Sequence, residues 1–187
     1  PDAVCNGLPG QLPMLHLPGF SAVPISISRY RDGEVFLTIR DEGASTSAIT
    51  SLPPGSQIGL RGPVGRGWPI EEAFGRDVVI VAGGIGLPPL RPLIDRILAN
   101  RGHFGMVRLF YGARSPADLV YTEELKSWAA RQDISVGVTV DRGMTHDGLG
   151  KYLKQKITKA PGPTADIVGI LKETKADVLV CYLPVGS

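Results

Sequence analysis

The stretch DVVIVAGGIGLPPLRPLIDRILAN, residues 77–100, decides the fold. Val78, Val79, Ile80 and Val81 form an apolar, β-branched run between Asp77 and Gly83, the composition of a parallel strand buried on both faces. Gly83, Gly84 and Gly86 turn the chain sharply off that strand and leave no Cβ to block a ligand at the helix start. Pro88 and Pro89 suit a first helical turn, whose amides lack intrahelical partners in any case. Leu90, Leu93, Ile94, Ile97 and Leu98 then recur at helical spacing, which predicts one apolar face. Strand, glycine turn and helix therefore follow without a break. An anion at such a helix start meets open amides and the positive dipole end. The spacing is not G-x-G-x-x-G, so the turn read alone fits a tight βα connection as well as a nucleotide cradle.

The totals narrow the classes. With 187 residues, 43% hydrophobic and 20% charged, the chain has the composition of a globular protein with a sizeable core, and 24 Gly with 16 Pro imply many turns. The net charge of +2 comes from scattered Lys and Arg, so no nucleic-acid partner is expected. No apolar run approaches the roughly 20 residues of a membrane span, and no basic-then-apolar leader opens the chain. The expectation is a cytoplasmic protein without a membrane partner. Cys5 and Cys181 have no pairing or ligand spacing and are too few for the usual iron–sulfur ligation. His16, His103 and His146 share no metal-ligand spacing, so no metal site is expected.

Before the central stretch, LPMLHL (12–17), VPISIS (23–28) and EVFLTIR (34–40) read as short strands separated by PGFSA and RYRDG. They predict an antiparallel meander or small barrel. A further strand at 57–61 runs into a Gly/Pro-rich turn, and 71–76 links to the central strand. The domain boundary is expected near residue 75. After the central helix come a strand at 106–111, a helix opening at Ser115 with Leu119, Leu125, Trp128 and Ala129 inward, and a strand at 134–140. Residues 150–157 and 164–175 read as helical, the latter with Ile167, Ile170 and Leu171 inward, and 177–182 as a fourth strand. The pattern thus predicts an α+β chain in two parts: an antiparallel meander or small barrel at 1–75, then an α/β parallel-sheet domain at 76–187. In the second part, 149–187 forms a divergent tail supplying a helix and a fourth strand.

Five motifs occur in order: Val23-Pro24-Ile25-Ser26, Gly43-Ala44-Ser45-Thr46, Gly62-Pro63-Val64-Gly65, Gly83-Gly84-Ile85-Gly86-Leu87-Pro88-Pro89 and Tyr111-Gly112-Ala113-Arg114-Ser115. Over residues 10–142 the chain resembles the ferredoxin–NADP reductase superfamily, in particular the flavin-binding gamma or B subunits of hydrogenases, sulfhydrogenases and anaerobic sulfite reductase. The resemblance implies a truncated antiparallel β-barrel at 1–75 that binds FAD, then an α/β parallel-sheet nucleotide-binding domain at 76–187 that binds NAD(P)H. Pro24, Ile25 and Ser26 stand where the family's Arg-Pro-Tyr-Ser flavin motif would be, which makes Ser26 the catalytic candidate at flavin N5. Without the motif's Arg and Tyr, the alternative for Ser26 is a plain strand serine. Gly43, Ser45 and Thr46 match the family's FAD-pyrophosphate loop, with Arg40 as the nearest cation. Read without the resemblance, they are a helix cap and a solvated strand end. Gly83, Gly84, Gly86 and Pro89 match the NAD(P) pyrophosphate signature, and Arg114 is the phosphate or ribose contact, a surface arginine being its alternative.

Two departures from that family matter. Its barrel carries additional N-terminal strands, and their absence before Gly10-Gln11 implies an open edge at which a protein partner would pair. Residues 149–187, with TADIVGILKETKADVLVCYLPVGS at 164–187, resemble a segment of prokaryotic inositol-phosphate synthase, which implies a join of unrelated pieces. The leading expectation is electron transfer from NAD(P)H through FAD to a protein or metal-centre acceptor. The alternatives are a recombined scaffold that binds a protein without redox activity, or an NAD-binding fragment of an inositol-phosphate synthase.

Overall fold

The computed structural model describes residues 7–141 and the backbone of Val178–Tyr182. The helices expected at 150–157 and 164–175 lie outside the described residues. The chain divides into two compact units, Pro1–Pro69 with Pro88–Arg96, and Ile70–Leu87 with Ile97–Ser187.

The first unit is antiparallel. Strand β1 (Leu12–His16) lies between β2 (Val23–Pro24) and β5 (Gly59–Val64), while β3 (Ile27–Arg31) and β4 (Glu34–Leu37) form a separate hairpin. The hairpin comes from the Asp-Gly pair in RYRDG: Asp32 at φ 52° and Gly33 at φ 79° both take the left-handed conformation of a primed two-residue turn. Its inner positions hold Ile27 and Ser28, both buried, and Ser28 Oγ donates to the Phe36 carbonyl at 2.9 Å. Helix α1 (Ala44–Thr50) comes next. Arg29 on β3 donates through Nε and Nη2 to Asp95 Oδ2 at 3.1 and 3.0 Å, joining this hairpin to the helical segment in the same unit.

Three strand expectations change. VPISIS is not one strand: β2 ends at Pro24, which has no N–H to give a ladder and sits on the sheet's edge, and Ile25–Ser26 interrupts the chain before β3. EVFLTIR stops pairing at Leu37. The strand expected at 57–61 instead covers Gly59–Val64, because β1 pairs with it from His16↔Gly59 through to Leu12↔Val64.

In the second unit, β6 (Val78–Gly83), β7 (Val107–Ala113), β8 (Ser135–Val140) and β9 (Val178–Tyr182) make a parallel sheet in the order β8-β7-β6-β9. Every residue of β6 is buried, as its β-branched run predicts, while β7 alternates buried and half-buried. Val78↔Val178 to Ala82↔Tyr182 pairs β9 with β6, so the fourth strand lies in the sheet at its edge.

The entry ends of these strands are clamped. Arg101 donates to three carbonyls, Asp133 O at 2.6 Å, Phe104 O at 2.8 Å and Gly105 O at 2.7 Å. Asp77 Oδ1 accepts the Met106 amide at 2.6 Å, and a Cβ at Gly105 would collide with that oxygen and crowd the Arg76 carbonyl, so glycine suits this place. The exit ends stay in register, Gly83 beside Gly112 and Ala113 beside Val140. In open parallel sheets, that is the end where ligands bind.

Helix α2 (Leu87–Ala99) is joined to β6 by a 3-10 turn at Gly84–Gly86. Its first two turns are buried all round, from Leu87 to Ile94, so the single apolar face read from the sequence describes only its later part, where Leu98 is half-buried and Ala99 exposed. Pro92 also lies inside the helix and removes the amide that would bond Pro88 O. The next helix starts later than expected: α3 is Thr122–Ala129. Ser115 does not cap it, because its hydroxyl donates to Asp118 Oδ2 at 2.7 Å and closes a 3-10 turn over Pro116–Asp118. Leu119 is then extended and Tyr121 enters α3 at φ 58°. Among the described residues, no helix is long and apolar enough to cross a membrane.

Candidate functional site

The candidate residues of the second unit gather where β6 and β7 leave the sheet. Gly83 is extended at φ −124°, which any residue adopts, but Gly84 sits at φ 48°, the left-handed region that favours glycine. The reversal at Gly84 carries the chain through Gly86 into the 13 residues of α2, with Pro89 in the first turn. Gly83 and Gly86 are buried, whereas Gly84 and Ile85 are half-exposed.

A residue to which its own motif, Tyr111–Ser115, assigned no role holds this turn. Tyr111, 1% exposed near the end of β7, donates its hydroxyl to the Gly84 carbonyl at 3.1 Å and accepts the Val120 amide at 3.2 Å. The Leu87 amide also donates to Gly84 O, so that carbonyl has both lone pairs engaged. The available signal was a tyrosine inside an apolar strand, since a buried phenol usually finds a hydrogen-bond partner. Arg114 lies just past β7, 66% exposed, with Nη2 3.7 Å from Asp118 Oδ1. Strand register thus brings Gly83, Gly84, Gly86 and Arg114 to adjacent exit ends of one sheet.

The first unit holds the other candidates in two places. Pro24 is exposed, while Ile25 and Ser26 are half-buried in the link between β2 and β3. At the start of α1, Thr46 Oγ1 accepts the amides of Glu42 and Gly43 at 3.1 and 3.0 Å and donates to Gly43 O at 2.9 Å. The Thr46 hydroxyl is therefore spent within the turn. Gly43 is extended, and a Cβ there would meet nothing within 4 Å, so space stands open beside the Ala44 and Ser45 amides. Arg40 is tied to Glu42 at 3.1 Å, and Ser47 hydrogen-bonds Asp41.

Residues 80–184 match the family model described as "Oxidoreductase NAD-binding domain". The match begins inside β6 and takes in the glycine turn, α2, Tyr111 and Arg114. The chain belongs to the oxidoreductase NAD-binding domain family. Among curated relatives of this chain, sulfhydrogenase 1 subunit gamma of Pyrococcus furiosus is 35% identical over 157 residues, covering 81% of this chain and 54% of that protein. A probable dihydroorotate dehydrogenase B (NAD(+)) electron transfer subunit of the same organism is 31% identical over 135 residues, covering 72% and 48%. The chain thus spans about half the length of these relatives. Among solved structures, ferredoxin–NADP+ reductase from Plasmodium falciparum aligns with a TM-score of 0.59 at 20% identity, covering 79% of this chain and 63% of that one. An NADH-dependent reduced ferredoxin–NADP oxidoreductase aligns at 0.62 and 22% identity, covering 82% and 56%. The antiparallel unit and the parallel sheet are therefore those of the ferredoxin–NADP reductase fold.

The reading of the tail is thereby corrected. The family match runs on to residue 184, through the stretch that resembled inositol-phosphate synthase, and β9 pairs with β6 in the family's own sheet. Val178–Tyr182 is a short apolar strand of the kind any parallel sheet can hold, so a likeness resting on it carries little weight. A join of unrelated pieces has no support.

Proposed function

We propose that the chain is the nicotinamide-binding part of a flavin-dependent electron-transfer protein that serves a partner subunit. The observation that carries this reading is the β6 exit: a glycine held at φ 48°, a turn opening onto a 13-residue helix, and a family match spanning both. The turn fits a dinucleotide pyrophosphate because Gly84 takes a conformation that side chains disfavour and the helix start beyond it attracts anions. In this reading Gly83, Gly84, Gly86 and Pro89 form the pyrophosphate cradle of NAD(P)H, and Arg114 takes a phosphate or ribose of its adenosine half.

FAD would lie on the first unit. The open space at Gly43 fits a pyrophosphate met by backbone amides and Ser45, with Thr46 shaping the turn and Arg40 beside it. Pro24 and Ile25 would flank the flavin and Ser26 would hydrogen-bond it near N5. When bound, the two cofactors supply hydride donation and onward electron transfer. The chain's residues bind and orient them. The domain division at about residue 75 belongs to this proposal, as does docking of the partner along β5, an edge of its sheet where Leu60 and Val64 are exposed. The names of the relatives, a gamma subunit and an electron transfer subunit, support a partner.

The test is a visible spectrum of the purified chain with and without added FAD, then NADH addition under nitrogen. Flavin absorbance that bleaches with NADH supports the proposal. A protein that stays colourless with FAD and ignores NADH supports a scaffold without redox activity.

A further inference from the structure

We infer that Tyr111 is the positioning residue of the nucleotide turn: its phenol sets the direction of the Gly84–Ile85 peptide and ties that turn to the loop entering α3. The inference rests on the nucleotide reading above and adds a residue to it. In a trans peptide the carbonyl and the next N–H point in opposite directions. The Gly84 carbonyl is held from one side by Tyr111 Oη at 3.1 Å and by the Leu87 amide, so the Ile85 N–H is directed away from Tyr111. A glycine at φ 48° has little stiffness of its own, and a turn built on it needs an outside restraint. Tyr111 supplies one from a neighbouring strand, with its ring fixed by burial at 1% exposure.

The same oxygen accepts the Val120 amide at 3.2 Å. Val120 closes the segment that starts at Arg114, so one hydroxyl joins the turn assigned to the pyrophosphate with the loop assigned to the adenosine half. Binding in two places of one ligand is then prepared by one buried group. Pre-ordering of this kind improves affinity by lowering the ordering cost of association.

The test compares wild type, Tyr111→Phe and Tyr111→Leu as the full chain, with NADH as the probe. Phenylalanine keeps the ring and removes only the hydroxyl, and leucine removes the packing as well. Three readouts are taken: melting temperature, NADH affinity by calorimetry, and amide exchange at Ile85 and Val120 by NMR. The expected result for Tyr111→Phe is a Kd raised about tenfold, the size of one hydrogen bond, with faster exchange at Val120 and a transition within a few degrees of wild type. Tyr111→Leu should lower melting temperature and affinity together, the pattern of a merely structural residue. Wild-type affinity in Tyr111→Phe overturns the inference while leaving the nucleotide reading intact. If wild type itself binds no NADH, the functional reading fails, and exchange decides the rest: unchanged protection at Val120 in Tyr111→Phe overturns the positioning role, and its loss upholds it.

Discussion

Replacing Arg101 with methionine should destabilise the second unit without touching nucleotide binding. The guanidinium donates to Asp133 O, Phe104 O and Gly105 O at 2.6, 2.8 and 2.7 Å, and it holds the connection into β7 against the one into β8. Hydrogen bonds to a charged group contribute about 1.5–3 kcal/mol each, so three sum to more than 4 kcal/mol gross. Arg101 is only half-buried, and water can reach some of the freed carbonyls, which lowers the expected loss to about 2–4 kcal/mol. For a chain of this size that is a fall of roughly 5–15 °C in melting temperature. Methionine retains most of the stem's packing, so the loss reports the guanidinium. Arg101→Lys should recover little, because an ammonium cannot span three carbonyls that the planar fork reaches. The assay is thermal unfolding by circular dichroism, with NADH affinity measured in parallel. A melting temperature within 2 °C or so of wild type refutes the clamp, and a fall in affinity without a fall in stability refutes the separation of clamp from site.

Three further outcomes are expected. Ser26→Ala should slow flavin reduction by NADH about tenfold in stopped flow while FAD retention stays near wild type; equal reduction rates remove Ser26 from the chemistry. Ending the chain after residue 160 removes β9 and exposes the side of β6 it pairs with, so the truncated protein should lose its cooperative melting transition, and an unchanged transition contradicts the place of that strand. Asp133 has its carboxyl held below the ordinary 3.8 by its hydrogen bonds from Arg131, so its stabilising contribution is complete above 3.8 and lost as pH falls through its lower folded value. Asp133→Asn should therefore flatten stability only in that acid window; a changed slope near neutral pH speaks against it.

Much of the fold was legible because local chemistry decided it. The β-branched run at Val78–Val81 read as a buried strand and is one, the glycines end it, and RYRDG, read only as a separator between strands, turns the hairpin at Asp32-Gly33. What could not be read depended on partners distant in sequence. The limits of β5 are set by pairing with β1, some 45 residues away. Ser115 looked like a helix cap until Asp118 claimed its hydroxyl, which moved the helix start to Thr122. Thr46 looked like a phosphate ligand, and its hydroxyl is consumed by its own turn. Tyr111 opened a motif but showed no role of its own there, because that role lies in a hydrogen bond to a residue 27 positions earlier. The tail misled for the opposite reason: a short apolar strand carries too little information to tell one parallel-sheet fold from another, and the match over residues 80–184 placed it.

The central claim is that the turn at Gly83–Gly86 binds a nicotinamide dinucleotide, and calorimetric titration of NADH and NADPH into wild type and Gly84→Val tests it most directly. Valine fills the space over the turn and must also adopt φ 48°, which costs about 1–2 kcal/mol and leaves the chain folded but less stable. Wild type should bind at least one of the two nucleotides with a Kd between about 1 μM and 1 mM, and folded Gly84→Val should bind it at least tenfold more weakly. Wild type that takes up neither nucleotide at millimolar concentration, or a folded Gly84→Val with undiminished affinity, contradicts the account.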